Sequence, residues 1–336
     1  MTEHELTAPV PLCDEKGRLN PASVGWSRRQ LIDTSRIGHG WYGWGRNKRW
    51  EYWGIITPTH FLAMTIAALD YANLRQIWVM DRATGIEVDA VEISALSQGV
   101  QLPGSLGDGD ATSRGRAMRL AFAEVAGGTR LTAASARVSI DVVAERLPGH
   151  EAMGTAAPFS NFLVEYTVKD VDRPVHGSVV IDGERFEVPP GSSWAVLDHG
   201  RLRAPYRTSW NWGAGAGMSA GRRIGLQLGG GGPLAIRRGI SQNAFTVNGR
   251  VHKVAEALVW EFDADDWLAP WRIRNDRMQL SFLPMHDRYA KTDLLVIRSE
   301  THQCFGTYRG RVRTDEGEWI ELDGIDGWAE DVHNRW

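Results

Sequence analysis

The clearest fold signal in this sequence is the stretch FTVNGRVHKV at residues 245–254. Two runs rich in β-branched and aromatic residues flank Asn248-Gly249, and both turn residues tolerate the positive φ that a two-residue hairpin turn requires. Asp182-Gly183 within VVIDGERFEV (179–188) has the same pattern. The sequence therefore predicts two tight antiparallel hairpins.

Further segments of strand length lie on both sides of these hairpins, many separated by glycine-containing turns. They are rich in β-branched or aromatic residues: EYWGIIT (51–57), IWVMD (77–81), ARVSIDVVAER (136–146), FLVEYTV (162–168), HGSVVID (176–182), RRIGLQLG (222–229), ALVWEF (257–262) and DLLVIRSETH (293–302). The stretch HFLAMTIAALDYANLRQ (60–76) is the most helix-like, although its β-branched and aromatic ends fit a strand equally well. We therefore predict a mostly β protein with little helix.

The composition is that of a packed globular protein. The 336 residues are 43% hydrophobic and 24% charged, which excludes disordered, collagen-like and coiled-coil classes. Lys and Arg (38) nearly balance Asp and Glu (41), so no overall field recruits nucleic acid or anionic lipid. We predict neither nucleic-acid binding nor stable membrane insertion.

Cysteine usage and the N-terminal sequence favour a cytoplasmic location. Cys13 and Cys304 are too few for a disulfide framework. The first residues lack a basic start and an apolar run, and no later segment supplies 18 uncharged apolar residues. The sequence leaves the oligomeric state open.

The length fits two domains of ordinary size. The segments GSLGDGDATSRGRA (104–117) and RPVHG (173–177) are candidate joints, and the boundary is expected between about 150 and 175. We assign residues 1–165 to an N-terminal β domain and residues 166–336 to a C-terminal β domain.

The sequence has no metal or nucleotide signature. Its ten histidines form no HxH or HExxH motif and no Cys/His pair at ligand spacing. The run GGGG (229–232) lacks the ending of a phosphate loop and fits a turn or bulge better. No nucleophile elbow is present. We predict no metal, no cofactor and no covalent catalysis.

The densest chemical segment is GSSWAVLDHGRLRAPYRTSWNWGAGAG (191–217). Asp198 and His199 would face opposite sides of a continuing strand, and only a bulge or turn, which Gly200 permits, would bring both to one ligand. The alternative is a structural Asp-His pair that caps a turn. Tyr206 and Arg207 follow and are further candidates for the site.

The 15 tryptophans are several times ordinary usage. Trp210 and Trp212 are two residues apart and share one face of a strand, where they would line an aromatic pocket, although core packing gives the same pattern. Trp53 ends RNKRWEYW (46–53), where arginine and tryptophan alternate, and we include it among the substrate-binding candidates.

A second cluster is RSETHQCFGTYRG (298–310). On a strand, Glu300, His302 and Cys304 share one face with Arg298. This row is either a hydrogen-bonded acid/base wall inside a pocket or the solvated face of an outer strand. We include Glu300 and His302 among the substrate-binding candidates.

Eight blocks in order resemble a bacterial family catalogued as domain of unknown function 2804. They are GWSRR (25–29), RWEYW (49–53), LDYA (69–72), DHGRLRAPYRTSWNWG (198–213), RRIGLQLGGG (222–231), DWLAPWRIR (266–274), AKTDLLVIRSETHQ with FG (290–306) and GWAED with His (327–333). The resemblance spans nearly the whole chain.

A weaker similarity links Gly191, Trp194 and the Asp198-His199 turn, together with GWAE at 327–330, to the carotenoid hydratase and lipocalin-like pericyclase group. That resemblance implies two consecutive calycin-like (lipocalin-like) antiparallel β-barrel or sandwich domains. It also implies an apolar ligand held between or inside the barrels, with a polar residue beside the DH turn acting on it. The arginine-rich loop after the turn suits an oxygenated isoprenoid or polyketide.

Three functions fit these observations. The first is a metal-independent hydratase, isomerase or cyclase for a bulky, largely apolar small molecule, in which Asp198 transfers the proton and His199 or Tyr206 orients or relays it. In this hypothesis Trp210 and Trp212 shape the pocket, and the Arg207, Glu300 and His302 side chains bind any polar end. The second is a noncatalytic binding protein for a lipid-like ligand. The third is a carbohydrate-active protein.

Overall fold

The computed structural model describes residues 3–38, 42–96, 98–230, 236–294 and 297–335. A 3-10 turn occupies Pro21–Ser23. The strands are β1 (Val10–Pro11), β2 (Gly25–Ser27), β3 (Ile32–Asp33), β4 (Asn47–Ile56), β5 (His60–Leu69), β6 (Ala72–Asp81), β7 (Glu87–Ala95), β8 (Val100–Gln101), β9 (Ala111–Arg114), β10 (Arg119–Val125), β11 (Gly128–Ala134), β12 (Val138–Glu145), β13 (Met153–Pro158), β14 (Val164–Ile181), β15 (Glu184–Val188), β16 (Trp194–Arg203), β17 (Arg207–Ser219), β18 (Arg222–Gly229), β19 (Asn243–Val247), β20 (Arg250–Val254), β21 (Val259–Glu261), β22 (Trp271–Arg274), β23 (Met278–Leu294), β24 (Ile297–Arg313) and β25 (Trp319–Arg335).

Two large curled sheets contain most of these strands, and both are antiparallel. The first sheet has the order β7-β6-β5-β4-β16-β14-β12-β11-β10-β9-β8, with β13 and β15 also paired to β14 and β2 paired to β13. The second sheet has the order β20-β19-β18-β17-β25-β24-β23-β22-β21. The chain is therefore mostly β, with two consecutive lipocalin-like sheets, as the sequence predicts.

Both hairpin predictions are confirmed. Val247 pairs with Arg250, and Asn248 and Gly249 take φ values of 53° and 84°. Ile181 pairs with Glu184 in the same way around the Asp182-Gly183 turn, whose φ values are 49° and 89°. Local turn chemistry was sufficient to predict both features.

The apolar stretch 60–76 is not a helix. It forms β5 and the first part of β6, and Leu69 pairs with Ala72 across a two-residue connection. The run is continuously apolar because β5 contributes to the core of the first sheet on one face and to the contact with the second sheet on the other. Such a run carries no periodicity that separates a strand from a helix.

The loop predicted at 229–232 begins as a turn. Gly229 ends β18, and Gly229 and Gly230 take φ values of 68° and 92°. Residues 231 and 232 lie outside the described part of the chain.

Strand β14 (Val164–Ile181) overlaps the region, about residues 150 to 175, in which the sequence predicts a domain boundary. Its first half pairs with β13 and β16, and its second half pairs with β12 and β15. A register shift between Asp170 and Arg173 bends the strand, and Asp172 takes a φ of 56°. The connection from the first sheet to the second is residues 204–206, between β16 and β17.

Three buried clusters stabilise this arrangement. One fills the concave interior of the first sheet and contains Trp53, Leu62, Phe122 and Leu131. Another fills the interior of the second sheet and contains Phe245, Trp271, Phe282 and Tyr308. A third lies between the sheets and contains Trp78, Trp194, Trp212, Phe305 and Trp328. The central strands of the first sheet are therefore buried on both faces.

Gly200 lies within β16, where it pairs with Trp50 of β4, so the turn or bulge that the sequence allows at this point is absent. A Cβ atom at residue 200 would overlap the indole ring of Trp50. The missing side chain therefore gives Trp50 the space it occupies on the face of the first sheet that meets the second.

We predict that Gly200→Ala lowers the free energy of unfolding by about 1 to 3 kcal/mol, because the new methyl group overpacks against the Trp50 ring. Urea denaturation measures this change. The same substitution in a Trp50→Leu background is expected to cost less, since the ring is gone. An equal cost in both backgrounds would show that the overlap does not cause the effect.

Candidate functional site

A cavity of about 560 Å³ lies between the first sheet and the second sheet. Strands β4, β5, β14 and β16 form one wall, and β17, β24 and β25 form the other. The cavity is lined by tryptophan and aliphatic side chains, with a small set of charged groups, which is the usual make-up of a small-molecule site.

Strand register places the charged groups in two facing rows. On the first wall, Lys169 pairs with Asp198, which pairs with Tyr52. On the second wall, Trp212 pairs with Glu330, which pairs with Gln303. Because paired residues of antiparallel strands project to the same side of a sheet, each row presents its side chains to the cavity together.

Lys169 is the cation at the centre of the site. Its Nζ lies 2.8 Å from Asp198 Oδ1 and 4.3 Å from the centroid of the Trp212 ring. Both members of the ion pair are buried, with 5% of Lys169 and 8% of Asp198 exposed. The indole Nε1 of Trp212 donates to Gln227 Oε1 at 2.9 Å, which holds the ring in place beneath the ammonium group.

Glu330 is held by hydrogen bonds to both carboxyl oxygens. Trp210 Nε1 donates to its Oε1 at 3.0 Å, and Gln303 Nε2 donates to its Oε2 at 3.1 Å. The Gln303 amide is itself fixed because its Oε1 accepts a hydrogen bond from Arg288 at 3.2 Å. Burial raises the pKa of Glu330 to about 7, against the lowering effect of Trp210 and Lys169.

Glu165 is a second buried carboxyl on the first wall. The side-chain amide of Gln242 lies beside this carboxyl and favours its ionised form. Burial raises the pKa of Glu165 to about 7, and the nearby charge of Lys169 limits the rise. The cavity therefore contains two carboxyl groups that change protonation state near neutral pH.

Aromatic rings pack against each other beside the cavity, where the two sheets meet. The ring of Tyr52 packs edge-on against Trp212 and Trp328, with centroid distances of 5.8 Å in both cases. Burial raises the pKa of Tyr52 well above its usual range, so this phenol stays protonated at ordinary pH.

Four of the residues that the sequence singles out lie at the cavity. They are Asp198, Arg207, Trp210 and Trp212. Asp198 is the central member of its row, whereas Arg207 begins β17 and is exposed.

His199 and Trp53 face the interior of the first sheet. Asp198 and His199 point to opposite sides of β16, as expected for a continuing strand. His199 Nδ1 lies 3.3 Å from Glu51, and burial together with the Arg201 charge lowers the pKa of His199 to about 4. Trp53 is buried in the core of the first sheet.

The other three predicted residues also lie away from the cavity. Tyr206 is 43% exposed between β16 and β17. Glu300 contacts Lys291 at 3.0 Å on the strand face opposite the cavity. His302 stacks on Trp267 at 3.9 Å and contacts Asp287 at 2.8 Å.

Sequence reasoning missed Glu165, Lys169 and Gln303 as site residues. Glu165 and Lys169 alternate with buried residues in VEYTVKD (164–170), which is also the pattern of a strand with one solvent-facing side. Gln303 lies on the face of β24 opposite Glu300 and His302, and the sequence does not reveal which face meets the other sheet. Glu330 belongs to the polar segment GWAED near the C-terminus, but the sequence does not show which residues it contacts.

Two kinds of feature are absent from the described residues, namely a cluster of metal-ligating side chains and a membrane-spanning helix. No three His, Cys, Asp or Glu side chains within the described ranges are grouped to hold a metal ion. No helix in the same ranges is long and apolar enough to cross a membrane.

The fold and the cavity define a lipocalin-like protein with two sheets and a small-molecule-sized cavity between them. The chain belongs to the family described as domain of unknown function (DUF2804), whose model matches residues 3–336. No curated protein matches the sequence.

Solved structures share the fold at low sequence identity. CghA is similar with a TM-score of 0.56 and 11% identity, over 86% of this chain and 88% of that chain. CghA with Sch210972 gives a TM-score of 0.55 at 10% identity over the same shares. An AttH candidate from Nitrosomonas europaea gives 0.50 at 13% identity, over 85% of this chain and 92% of that one. These likenesses show the fold.

We predict that Lys169→Met lowers the free energy of unfolding by about 3 to 5 kcal/mol, because it leaves the Asp198 carboxylate buried without its partner. Adding Asp198→Asn to this variant is expected to restore part of the loss. As a control, Lys291→Met removes a solvent-exposed partner of Glu300 and is expected to have a far smaller effect. Urea denaturation of the unsubstituted protein, Lys169→Met, Asp198→Asn, the double variant and Lys291→Met measures the coupling, and additive effects of the two buried substitutions would contradict it.

We also predict a characteristic pH dependence of stability. The pKa of Glu330 rises on folding from its ordinary value of 4.5 to about 7, so the folded protein holds this proton more tightly. Its contribution makes stability fall as the pH rises between these two values, by about 1.4 kcal/mol for each pH unit. Glu330→Gln should flatten the fall, whereas Glu300→Gln, which changes an accessible carboxyl, should leave it in place. Parallel curves for Glu330→Gln and the unsubstituted protein between pH 5 and 8 would refute the prediction.

Proposed function

We propose that this protein is an acid/base enzyme that hydrates, isomerises or cyclises a bulky, largely apolar small molecule in the cavity between its sheets. The observation that carries the proposal is the pair Glu165 and Glu330, two buried carboxyls with pKa values of about 7 on opposite walls of the cavity. General acid/base catalysis is most effective when the pKa of the catalytic group lies near the working pH.

The two carboxyls suit complementary roles. In the protonated state, Glu330 gives its proton to an oxygen or an unsaturated carbon of the substrate, and its hydrogen bonds from Trp210 and Gln303 stabilise the carboxylate left behind. In the ionised state, Glu165 takes a proton from a substrate carbon or from attacking water. In each turnover Glu330 gives one proton to the substrate, and Glu165 takes one proton from the substrate or from water. Proton exchange with solvent then restores both groups.

The ion pair of Lys169 and Asp198 sets the electrostatics between these two carboxyls. Lys169 favours the ionised form of both, and Asp198 favours the protonated form. Since Asp198 contacts the ammonium group at 2.8 Å, we assign it to holding Lys169 in place rather than to proton transfer. His199 and Tyr206 do not line the cavity and have no part in this mechanism.

The cavity walls indicate the substrate class. A volume of about 560 Å³ suits a molecule of drug size. The faces of Trp50 and Trp210 and the side chains of Leu69, Leu74 and Leu202 offer apolar contact along it. The tryptophan faces would also stabilise positive charge that develops on a protonated substrate. An isoprenoid or polyketide with few polar groups fits these features.

The first experiment is native mass spectrometry of the purified protein, followed by extraction and identification of any bound compound. Turnover of that compound, or of its unsaturated or hydrated counterparts, is then assayed. Glu330→Gln and Glu165→Gln are each expected to lower kcat/KM by at least about 100-fold. Glu300→Gln changes a carboxyl of the second sheet outside the cavity and should retain activity.

The pH profile of kcat/KM provides a second test. A base that must be ionised loses activity as the pH falls below its pKa, and an acid that must be protonated loses activity as the pH rises above its pKa. We therefore expect a narrow bell centred near pH 7, whose two limbs belong to the coupled pair. Full activity in both Gln variants would overturn the assignment, and tight binding without turnover would instead support a binding protein for a lipid-like ligand.

A further inference from the structure

Cations line one end of the main cavity. Strand β16 leads into β17 through residues 204–206, so the end of β16 and the start of β17 lie at the same end of the cavity. Arg207 is the first residue of β17 and lines the cavity there. Arg237 also lines the cavity, and both arginines are exposed. Because they are exposed, these residues stand where the cavity opens to solvent, and we call this end the mouth.

Two further cations lie on the first-sheet side of the mouth. Lys48 pairs with Leu202 near the end of β16, and both residues line the cavity. Arg46 donates a hydrogen bond to the carbonyl oxygen of Ala204 at 3.2 Å. Burial lowers the pKa of Lys48 to about 8, the charge of Asp70 opposes this effect, and the charge of Arg46 adds to it. An anion at the mouth therefore favours the charged form of Lys48.

A row of arginines extends from the mouth across the second sheet. Arg207 pairs with Arg335, which pairs with Arg298. Like charges directly opposite each other on neighbouring strands destabilise a sheet. Arg298 lies near two carboxylates, Glu300 at 3.7 Å and Asp293 at 3.8 Å. Both carboxylates are at the end of the row that lies two strands away from Arg207.

The carboxyl groups that line the cavity interact with Lys169 instead. Asp198 contacts Lys169 at 2.8 Å, and the charge of Lys169 acts on both glutamates of the proposed acid/base pair. Within the described part of the chain, the side chains of Arg207 and Arg237 form no ion pair and no hydrogen bond. The two arginines therefore present positive charge to a ligand in the cavity.

We propose that Arg207 and Arg237 bind an oxyanion at one end of the ligand, namely a carboxylate or a phosphate. Arginine suits this role because its planar guanidinium donates two parallel hydrogen bonds to either group. Lys48 and Arg46 add to the positive potential at the mouth. This inference rests on the proposed function for the presence of an apolar ligand in the main cavity. It adds that the ligand is amphipathic, with its anionic end at the mouth and its apolar body between the sheets.

The first test measures the affinity of three matched probes by isothermal titration calorimetry. They are 1-naphthaleneacetate, 1-naphthyl phosphate and the neutral 1-naphthaleneacetamide. The unsubstituted protein should bind at least one of the anions about tenfold or more tightly than the amide, and the tighter anion identifies the group that the mouth accepts. This preference should fall as NaCl is raised from about 50 mM to about 500 mM, because salt screens the charges of exposed arginines.

The second test repeats these titrations on two variants of equal net charge. Arg207→Gln combined with Arg237→Gln should remove most of the preference for the anion and leave the affinity for the amide within about twofold. The control combines Arg272→Gln with Arg309→Gln, which changes two exposed arginines outside the cavity. The control should keep the full preference, so it separates a local contact from a general effect of net charge.

Equal affinities for the anions and the amide in the unsubstituted protein, or no detectable binding of either anion, would overturn the proposal. An unchanged preference in the Arg207 and Arg237 variant would overturn it too, as would an equal loss in the control. These readouts need no turnover, so their failure would leave the two glutamates as the acid/base pair. Glu165→Gln and Glu330→Gln should keep the anion preference, so their failure to affect catalysis would refute the proposed function alone.

Discussion

Burial of β16 on both faces is the constraint on which the rest of the structure depends. All ten residues of this strand are buried, because one face lines the interior of the first sheet and the other meets the second sheet. A polar side chain on either face must therefore find a partner within the protein. On the outer face Asp198 contacts Lys169, and on the inner face Arg201 contacts Glu51 at 3.5 Å.

The same constraint explains why the two halves of the conspicuous Asp-His pair have separate environments. Asp198 is placed in the cavity with a cation, whereas His199 is enclosed in the first sheet beside a second cation, Arg201. A histidine with a pKa of about 4 is neutral throughout the physiological range and contributes no charge to the first core. Adjacent residues of one strand therefore face the cavity on one side and the core of the first sheet on the other.

The sequence was most informative where a short local pattern has one structural solution. The Asn248-Gly249 and Asp182-Gly183 turns are determined by residues that tolerate positive φ, and both form as predicted. Alternation correctly grouped Glu300 with His302, but it does not say which side of β24 meets the second wall. Glu165 and Lys169 belong to a strand pattern that also describes a solvated face, and only the packing of one sheet on the other makes that face a cavity. The 60–76 stretch was ambiguous because a strand buried on both sides loses its alternation.

The charge balance in the cavity argues for a single shared proton near neutral pH. If Glu165, Asp198 and Glu330 were all ionised, three negative charges would lie near Lys169 in a largely buried region of the cavity. Repulsion at low dielectric opposes that state, and burial opposes it further. If both glutamates were protonated, neither of them would be available as a base. The state with one proton on the two glutamates contains an acid and a base together, and the charge of Lys169, which favours the ionised form of both, opposes the addition of a second proton.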